Sequence, residues 1–266
     1  MKGRVLIIAG SDPSGGAGIQ ADIKTVTALG GYAATAITAI TVQNTHGVSA
    51  VHSVPPDVIG AQIEAVMSDI GADAIKIGMI GDTHAARVIE STLKKYAQTP
   101  VVLDPVLVAT SGDALAKDGV AAFIRDRLMM LAALVTPNIN EAASLTGMAV
   151  TERKDMIDAG RRLVDTGAGA ALVKGGHLSG QTLEDVLVTK TDVHTFANER
   201  IEATSTHGTG CTLASAAATG LAQGVAMKDA VARAIAYVHE AIRTAPGYGG
   251  GHGPLNHAWP IDQKDG

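Results

Sequence analysis

The chain has 266 residues, 46% of them hydrophobic, which is enough apolar material for one α/β core. Its 21 Lys and Arg against 26 Asp and Glu give a formal charge of −5 without charge blocks, and aromatic residues make up only 3%; this argues against nucleic acid and membrane surfaces as partners and favours small molecules. One cysteine excludes an internal disulfide and a cysteine metal cluster, and the first apolar run is too short for a signal segment or a membrane span, so a cytoplasmic location is expected.

In chain order, Val5 to Ala9 is a short apolar run with little polar alternation, as expected of a parallel strand covered on both faces. A glycine-rich loop from Gly10 to Gly18 leads to a predicted helix over Gly18 to Leu29. The pattern then alternates: strand Ala34 to Val42, helix Asp57 to Ile70, strand Ala74 to Ile77, helix Thr83 to Tyr96, strand Val101 to Leu103, and helix Gly119 to Leu131. Strand Leu134 to Thr136, helices Ile139 to Leu145 and Arg153 to Thr166, and strand Ala170 to Val173 follow. Beyond Val173 the rhythm changes to an antiparallel pair, Asp185 to Thr189 and Val193 to Phe196, turned at Lys190-Thr191-Asp192, and then a glycine turn and two helices. The expected architecture is a single α/β domain over residues 1–266, with a mostly parallel sheet, an antiparallel edge and helices on both faces. The glycine-rich tail over 246–266 contains a tract from Pro246 to Pro254 that reads as a mobile or ligand-adjacent loop, and the final residues should fray.

Ligands of open parallel sheets bind outside the carboxyl ends of the strands, and the chemistry-bearing residues follow strands here. They are Gly10-Ser11-Asp12, Gln43-Asn44-Thr45, Gly78-Met79, Asp104-Pro105, Pro137-Asn138 and Lys174-Gly175-Gly176-His177. The richest stretch is Thr206-His207-Gly208-Thr209-Gly210-Cys211-Thr212, where glycines bare the backbone N–H groups and the next helix adds its positive end, so a phosphate is expected there. Beside that anion site the Cys211 thiol reads either as a thiol pushed toward thiolate, able to accept a proton, or as small core filler. Asp104 ends a buried run and would need a partner or a metal. Asn138 and Glu141 could join it around a hydrated magnesium, or could simply form a capping box. Lys174 suits nucleotide phosphates, or snorkels to solvent. Asp22 reads either as a ligand acceptor or as a surface helix carboxylate. His177, His207 and His252 fit no metal spacing, so no zinc site is expected.

These motifs in combination, from Ala9-Gly10-Ser11-Asp12 through Lys76-Ile77-Gly78-Met79 and Leu103-Asp104-Pro105-Val106 to Thr206–Thr212, closely resemble the hydroxymethylpyrimidine/phosphomethylpyrimidine kinases of thiamine biosynthesis, within the ribokinase-like superfamily. The resemblance runs from about Val5 to Gln223 and implies a three-layer α/β/α sandwich and a kinase using ATP and magnesium. It implies phosphorylation of 4-amino-5-hydroxymethyl-2-methylpyrimidine and then of its monophosphate. Carried over position by position, it places the pyrimidine among Gly10, Asp22, Gln43, Met79, Val106 and Cys211, and nucleotide phosphates at Lys174, Thr206, Gly208, Thr209 and Gly210. Asp104, Asn138 and Glu141 fall near magnesium, and Lys174, Gly208, Gly210 and Cys211 form the catalytic set. Many sugar kinases of the superfamily carry aspartate where Cys211 stands, so the cysteine departs from the wider pattern. A pyridoxal kinase or dual-specificity enzyme is the nearest alternative, and a non-catalytic nucleotide- or pyrimidine-binding regulator is the alternative of another class. A homodimer would not be surprising, and Ser111 to Lys117 and Pro246 to Pro254 are the candidate lids.

Overall fold

The computed structural model describes residues 1–108, 117–176 and 181–262. His177 and most of the first candidate lid lie outside the described residues. A nine-stranded sheet runs through the molecule in the order β3-β2-β1-β4-β5-β6-β7-β8-β9. Its strands are β1 (Arg4–Ser11), β2 (Tyr32–Asn44), β3 (Gly47–Ser53), β4 (Ala74–Ile77), β5 (Val101–Leu103), β6 (Ala132–Val135), β7 (Ala170–Lys174), β8 (Thr182–Thr189) and β9 (Val193–Glu199). From β2 through β7 the neighbours are parallel, while β3, β8 and β9 pair antiparallel.

The central strands read as continuous apolar runs because helices cover both sides. Along β1 the side chains alternate: Val5, Ile7 and Ala9 pack with residues of α1 (Gly18–Ala28), α7 (Thr209–Ala222) and α8 (Met227–Arg243), the element numbers following chain order. Leu6 and Ile8 face the other way, toward Ile59 and Ile63 of α2 (Pro56–Asp69), Ile89 of α3 (Thr83–Leu93), Leu145 of α5 (Ile139–Thr146) and Leu163 of α6 (Arg153–Asp165). The short remaining helices are α4 (Val120–Phe123) and α9 (Trp259–Asp262).

Two expectations are corrected. The loop expected after Val42 is a hairpin: β2 continues to Asn44, turns, and returns as β3, so the sheet has an antiparallel edge on both sides. No apolar alternation marks β3, since Ser49 through Ser53 are all exposed. The helix expected over Gly119 to Leu131 is broken into α4, a wider five-residue turn at Ile124–Leu128 and a tight turn at Met129–Leu131. This arrangement buries Ile124, Leu128 and Met129 while Arg127 reaches the largely buried Glu90 at 2.8 Å.

Strand order reverses direction around β1 and β4, and loops leaving adjacent strands there diverge to open a crevice. The loops that carry the candidate residues sit on that edge.

Candidate active site

The glycine turn opens α7, a helix built almost wholly of small residues and buried from Thr212 to Gly220. Its cap, Gly208, has φ +79°, and a Cβ there would overlap the carbonyl oxygen of Gly16, so only glycine allows this turn to close on the first loop. No side chain caps α7, which leaves its leading amides and positive end for an anion. Thr209 Oγ1 donates to the Thr206 carbonyl at 2.7 Å and stiffens the turn.

Lys174, at the end of β7, extends to the same point: a Cβ on Gly210 would stand 3.1 Å from Lys174 Nζ and 3.6 Å from Asp104 Oδ2. Lys174 Nζ donates to Asp104 Oδ1 at 3.2 Å, and Thr136 Oγ1 donates to that same oxygen at 3.2 Å. The lysine thus does not merely snorkel, since its side chain is 14% exposed and the carboxylate 2%. Burial would lower the Lys174 pKa, but Asp104 and Glu141 raise it above the ordinary value, so it is a fixed cation.

Asn138 and Glu141 do form the capping box: Asn138 Oδ1 accepts from the Glu141 N–H at 2.9 Å, and Glu141 Oε2 accepts from the Asn138 N–H at 2.8 Å. Asn138 Oδ1 thus spends one lone pair on the helix start and positions Glu141, which leaves the magnesium reading of the pair open. Burial, opposed by Lys174 and reinforced by Asp104, pushes the Glu141 pKa up to about 7. Two carboxylates share one lysine here, an under-neutralised pair that suits a cation. Among the described residues no group of three or more His, Cys, Asp or Glu could hold a metal.

Cys211 overturns the expectation of a lowered pKa. Desolvation dominates, the Asp22 and Asp104 carboxylates add to it, and Lys76 with the Gly18 N–H only partly offset them, so the thiol is pushed up to about 11. The helix end acts locally, whereas the opposing carboxylates arrive from distant elements.

Asp22 is likewise corrected on both readings. It is fully buried, neither on the surface nor open to a ligand: Lys76 Nζ donates to its two oxygens at 3.0 and 2.8 Å, and Ser215 Oγ donates at 2.7 Å. Lys76 is itself fully buried and, although burial opposes it, Asp22 holds its pKa above the ordinary range. This unit ties α1, β4 and α7 together behind Cys211. A lysine inside the four-residue run Ala-Ile-Lys-Ile was a visible signal, because a charge in a buried strand demands a partner.

The remaining candidate residues stand at or just beyond the ends of β1, β2, β4 and β5. A Cβ on Gly10 would meet Met79 Sδ at 3.0 Å, Met79 is 7% exposed, and Val106 follows Asp104 through a turn closed by a 2.8 Å bond from its N–H. Gln43 lies at the tip of β2. Its amide is 3.4 Å from His207 Nε2, and that nitrogen is 2.8 Å from Asp12 Oδ2. Asp12 also accepts from the Ser14 and Ala17 N–H groups at 2.9 and 2.8 Å, so it binds the first loop to itself and to the glycine turn. Burial alone would raise its pKa, but these donors lower it, and Asp12 is ionised. The sequence places Asp12 among the strand-end residues but assigns this role to neither Asp12 nor His207, though an Asp-Pro-Ser-Gly turn is a visible Asx signal. The Pro246 to Pro254 tract lies against these parts: His252 N–H donates to Thr45 O at 2.8 Å, and His207 N–H to Gly253 O at 3.1 Å.

A cleft at the carboxyl ends of a parallel sheet, with an uncapped helix start, a fixed lysine and paired carboxylates at one point, defines a small-molecule kinase of the ribokinase-like fold. A family model described as phosphomethylpyrimidine kinase matches residues 12–256. The chain is 48% identical over 256 residues to the thiamine biosynthesis bifunctional protein ThiED of Geobacter sulfurreducens, covering 96% of this chain and 52% of that one, so it spans about half of that relative. It is 47% identical over 255 residues to the hydroxymethylpyrimidine/phosphomethylpyrimidine kinase of Rhizobium meliloti, covering 95% and 96% of the two chains. Among solved structures, the ADP complex of Bacillus subtilis pyridoxal kinase is similar with a TM-score of 0.89 at 33% identity, covering 97% and 98%. The chain belongs to the phosphomethylpyrimidine kinase family. No helix of the described residues is long and apolar enough to cross a membrane.

Proposed function

We propose that this chain transfers the γ-phosphoryl group of ATP to the hydroxymethyl group of 4-amino-5-hydroxymethyl-2-methylpyrimidine, and then to the resulting monophosphate. The observation that carries this reading is the meeting of Lys174 Nζ and Asp104 with Gly210, one residue before Cys211, at the open start of α7. Phosphoryl transfer is catalysed chiefly by position and charge, and these groups supply both. The Gly208–Gly210 backbone and Lys174 would hold the transferring phosphoryl, with Thr206 and Thr209 shaping the turn. Cys211 would face the accepting hydroxyl and take its proton. Gly10, Gln43, Met79 and Val106 would receive the ring, Gln43 because one amide can both donate and accept along an aminopyrimidine edge. Asp22 would act from behind the site through Lys76 and Ser215, without touching substrate. Asp104 and Glu141 would hold magnesium through water, which when bound neutralises phosphate charge. The continuous sheet supports one kinase domain, and an interior reaction of this kind needs neither nucleic acid nor membrane.

The likeness to a pyridoxal kinase makes the hydroxymethyl group of pyridoxal the competing acceptor. ADP release measured with each alcohol decides between them: turnover with the pyrimidine and weak turnover with pyridoxal is the expected result. No ADP release with either alcohol would leave the non-catalytic regulator.

A further inference from the structure

The geometry points to the buried Asp12–His207 pair as the positioning unit that fixes which way the Gln43 amide faces, and hence which order of donor and acceptor the site offers to a ring. The inference rests on the proposed pyrimidine kinase activity for its consequence, but not for its geometry.

The argument is a count of protons. The structure sets Thr41 Oγ1 2.9 Å from the Ser11 carbonyl oxygen and 3.1 Å from Gln43 Oε1, with Gln43 Nε2 toward His207, and a half-turn of the amide exchanges those two Gln43 atoms. The hydroxyl has one hydrogen, and a backbone carbonyl can only accept, so that hydrogen goes to Ser11 O. The Gln43 atom beside Thr41 must then be the donor, which is the NH2 group. A second count, independent of the first, reaches the same orientation. His207 Nε2 is 2.8 Å from Asp12 Oδ2, and an ionised carboxylate only accepts, so Nε2 carries a hydrogen. Its one hydrogen is directed to Asp12, so Nε2 has no lone pair left to accept from the Gln43 NH2 group set 3.4 Å away, and the amide oxygen is the better neighbour there. Thr41 and His207 therefore agree: Gln43 turns its oxygen to His207 and its NH2 to Thr41. One N–H and the amide oxygen remain for a ligand, in a set order. A ring with an exocyclic amine beside an acceptor nitrogen matches such a pair, and a ring presenting the reverse order would require Gln43 to break both contacts.

His207 is well placed to hold this arrangement. Its side chain is 7% exposed and packs so closely on Gly16 that a side chain there would overlap it, and its backbone N–H is anchored to the Gly253 carbonyl. Asp12 is held in turn by the Ser14 and Ala17 amides.

The test has two arms on the full chain. In the first, long-range 15N–1H NMR of the wild-type protein labelled at histidine reads the tautomer, with His207 assigned by its absence from the His207→Gln variant. A hydrogen on Nε2 is expected; a bare Nε2 overturns the inference, with no activity needed. In the second, His207→Phe keeps the ring and loses the donor. It should raise KM for the pyrimidine alcohol about tenfold, with kcat changed less than about threefold, and lower pyrimidine-over-pyridoxal selectivity about tenfold, the scale of one mispaired hydrogen bond. His207→Gln, whose amide nitrogen can donate toward Asp12, should recover most of the selectivity. If His207→Phe instead slows both alcohols equally through kcat with selectivity unchanged, the histidine only braces the turn and the inference falls. Should the Phe variant not fold, the Gln variant and the tautomer decide. A wild-type protein that phosphorylates no pyrimidine alcohol would refute the proposed activity while leaving the tautomer assignment standing.

Discussion

Replacing Cys211 with alanine separates the two transfers. With the thiol pushed up to about 11, only about one molecule in a thousand carries a thiolate at pH 8, and ionising it there costs about 4 kcal/mol at 1.36 kcal/mol per pH unit. A base present at that fraction imposes its own titration on the rate: transfer to the alcohol should accelerate about tenfold per pH unit between pH 7 and 9. Transfer to the monophosphate should not, because that acceptor, with a second pKa near 6, is already ionised. Cys211→Ala should lose about a hundredfold on the alcohol, the lower end of general-base contributions, and less than about threefold on the monophosphate. Its residual alcohol rate should be flat with pH. Steady-state ADP release on each acceptor across pH 6.5 to 9.5 provides the comparison. A flat wild-type profile for the alcohol, or equal losses on both acceptors, would refute proton acceptance by Cys211 and leave it a wall of the pocket.

Lys76→Met leaves the fully buried Asp22 without its counter-charge, which costs about 3–5 kcal/mol and should lower Tm by about 10 °C; adding Asp22→Asn should recover part of the loss, and a single variant melting within about 2 °C of wild type would contradict the pairing. Glu141 has a folded pKa of about 7 against an ordinary 4.5, so its contribution to stability is complete below pH 4.5 and is lost as pH rises through 7, about 3 kcal/mol in all. Urea titrations of wild type and Glu141→Gln should therefore diverge across that window in metal-free buffer, the variant becoming the more stable above pH 7, and magnesium should restore stability to the wild type only. Parallel pH dependence of the two proteins would sink this assignment.

The layered architecture was legible because strands covered on both faces cannot hide their composition: β1, β4, β5 and β7 stand where short apolar runs predict them. So was the convergence of the loops, because parallel strands deliver their carboxyl ends to one edge. The hairpin edge β3 was not, since an exposed strand with Ser, Ala and His carries no periodic signal. Nor was the π-type turn near Ile124, which is chosen by packing.

By itself, the sequence determined the fold class, the strand-end loops and the chemical types gathered there: a lysine, two carboxylates, a thiol and a glycine turn. Only the tertiary structure decided their states. The Cys211 thiol rises instead of falling, Asp22 turns inward to Lys76, and His207 joins Asp12 across 195 residues, because desolvation and charge pairing depend on which distant side chains the fold brings within a few ångströms.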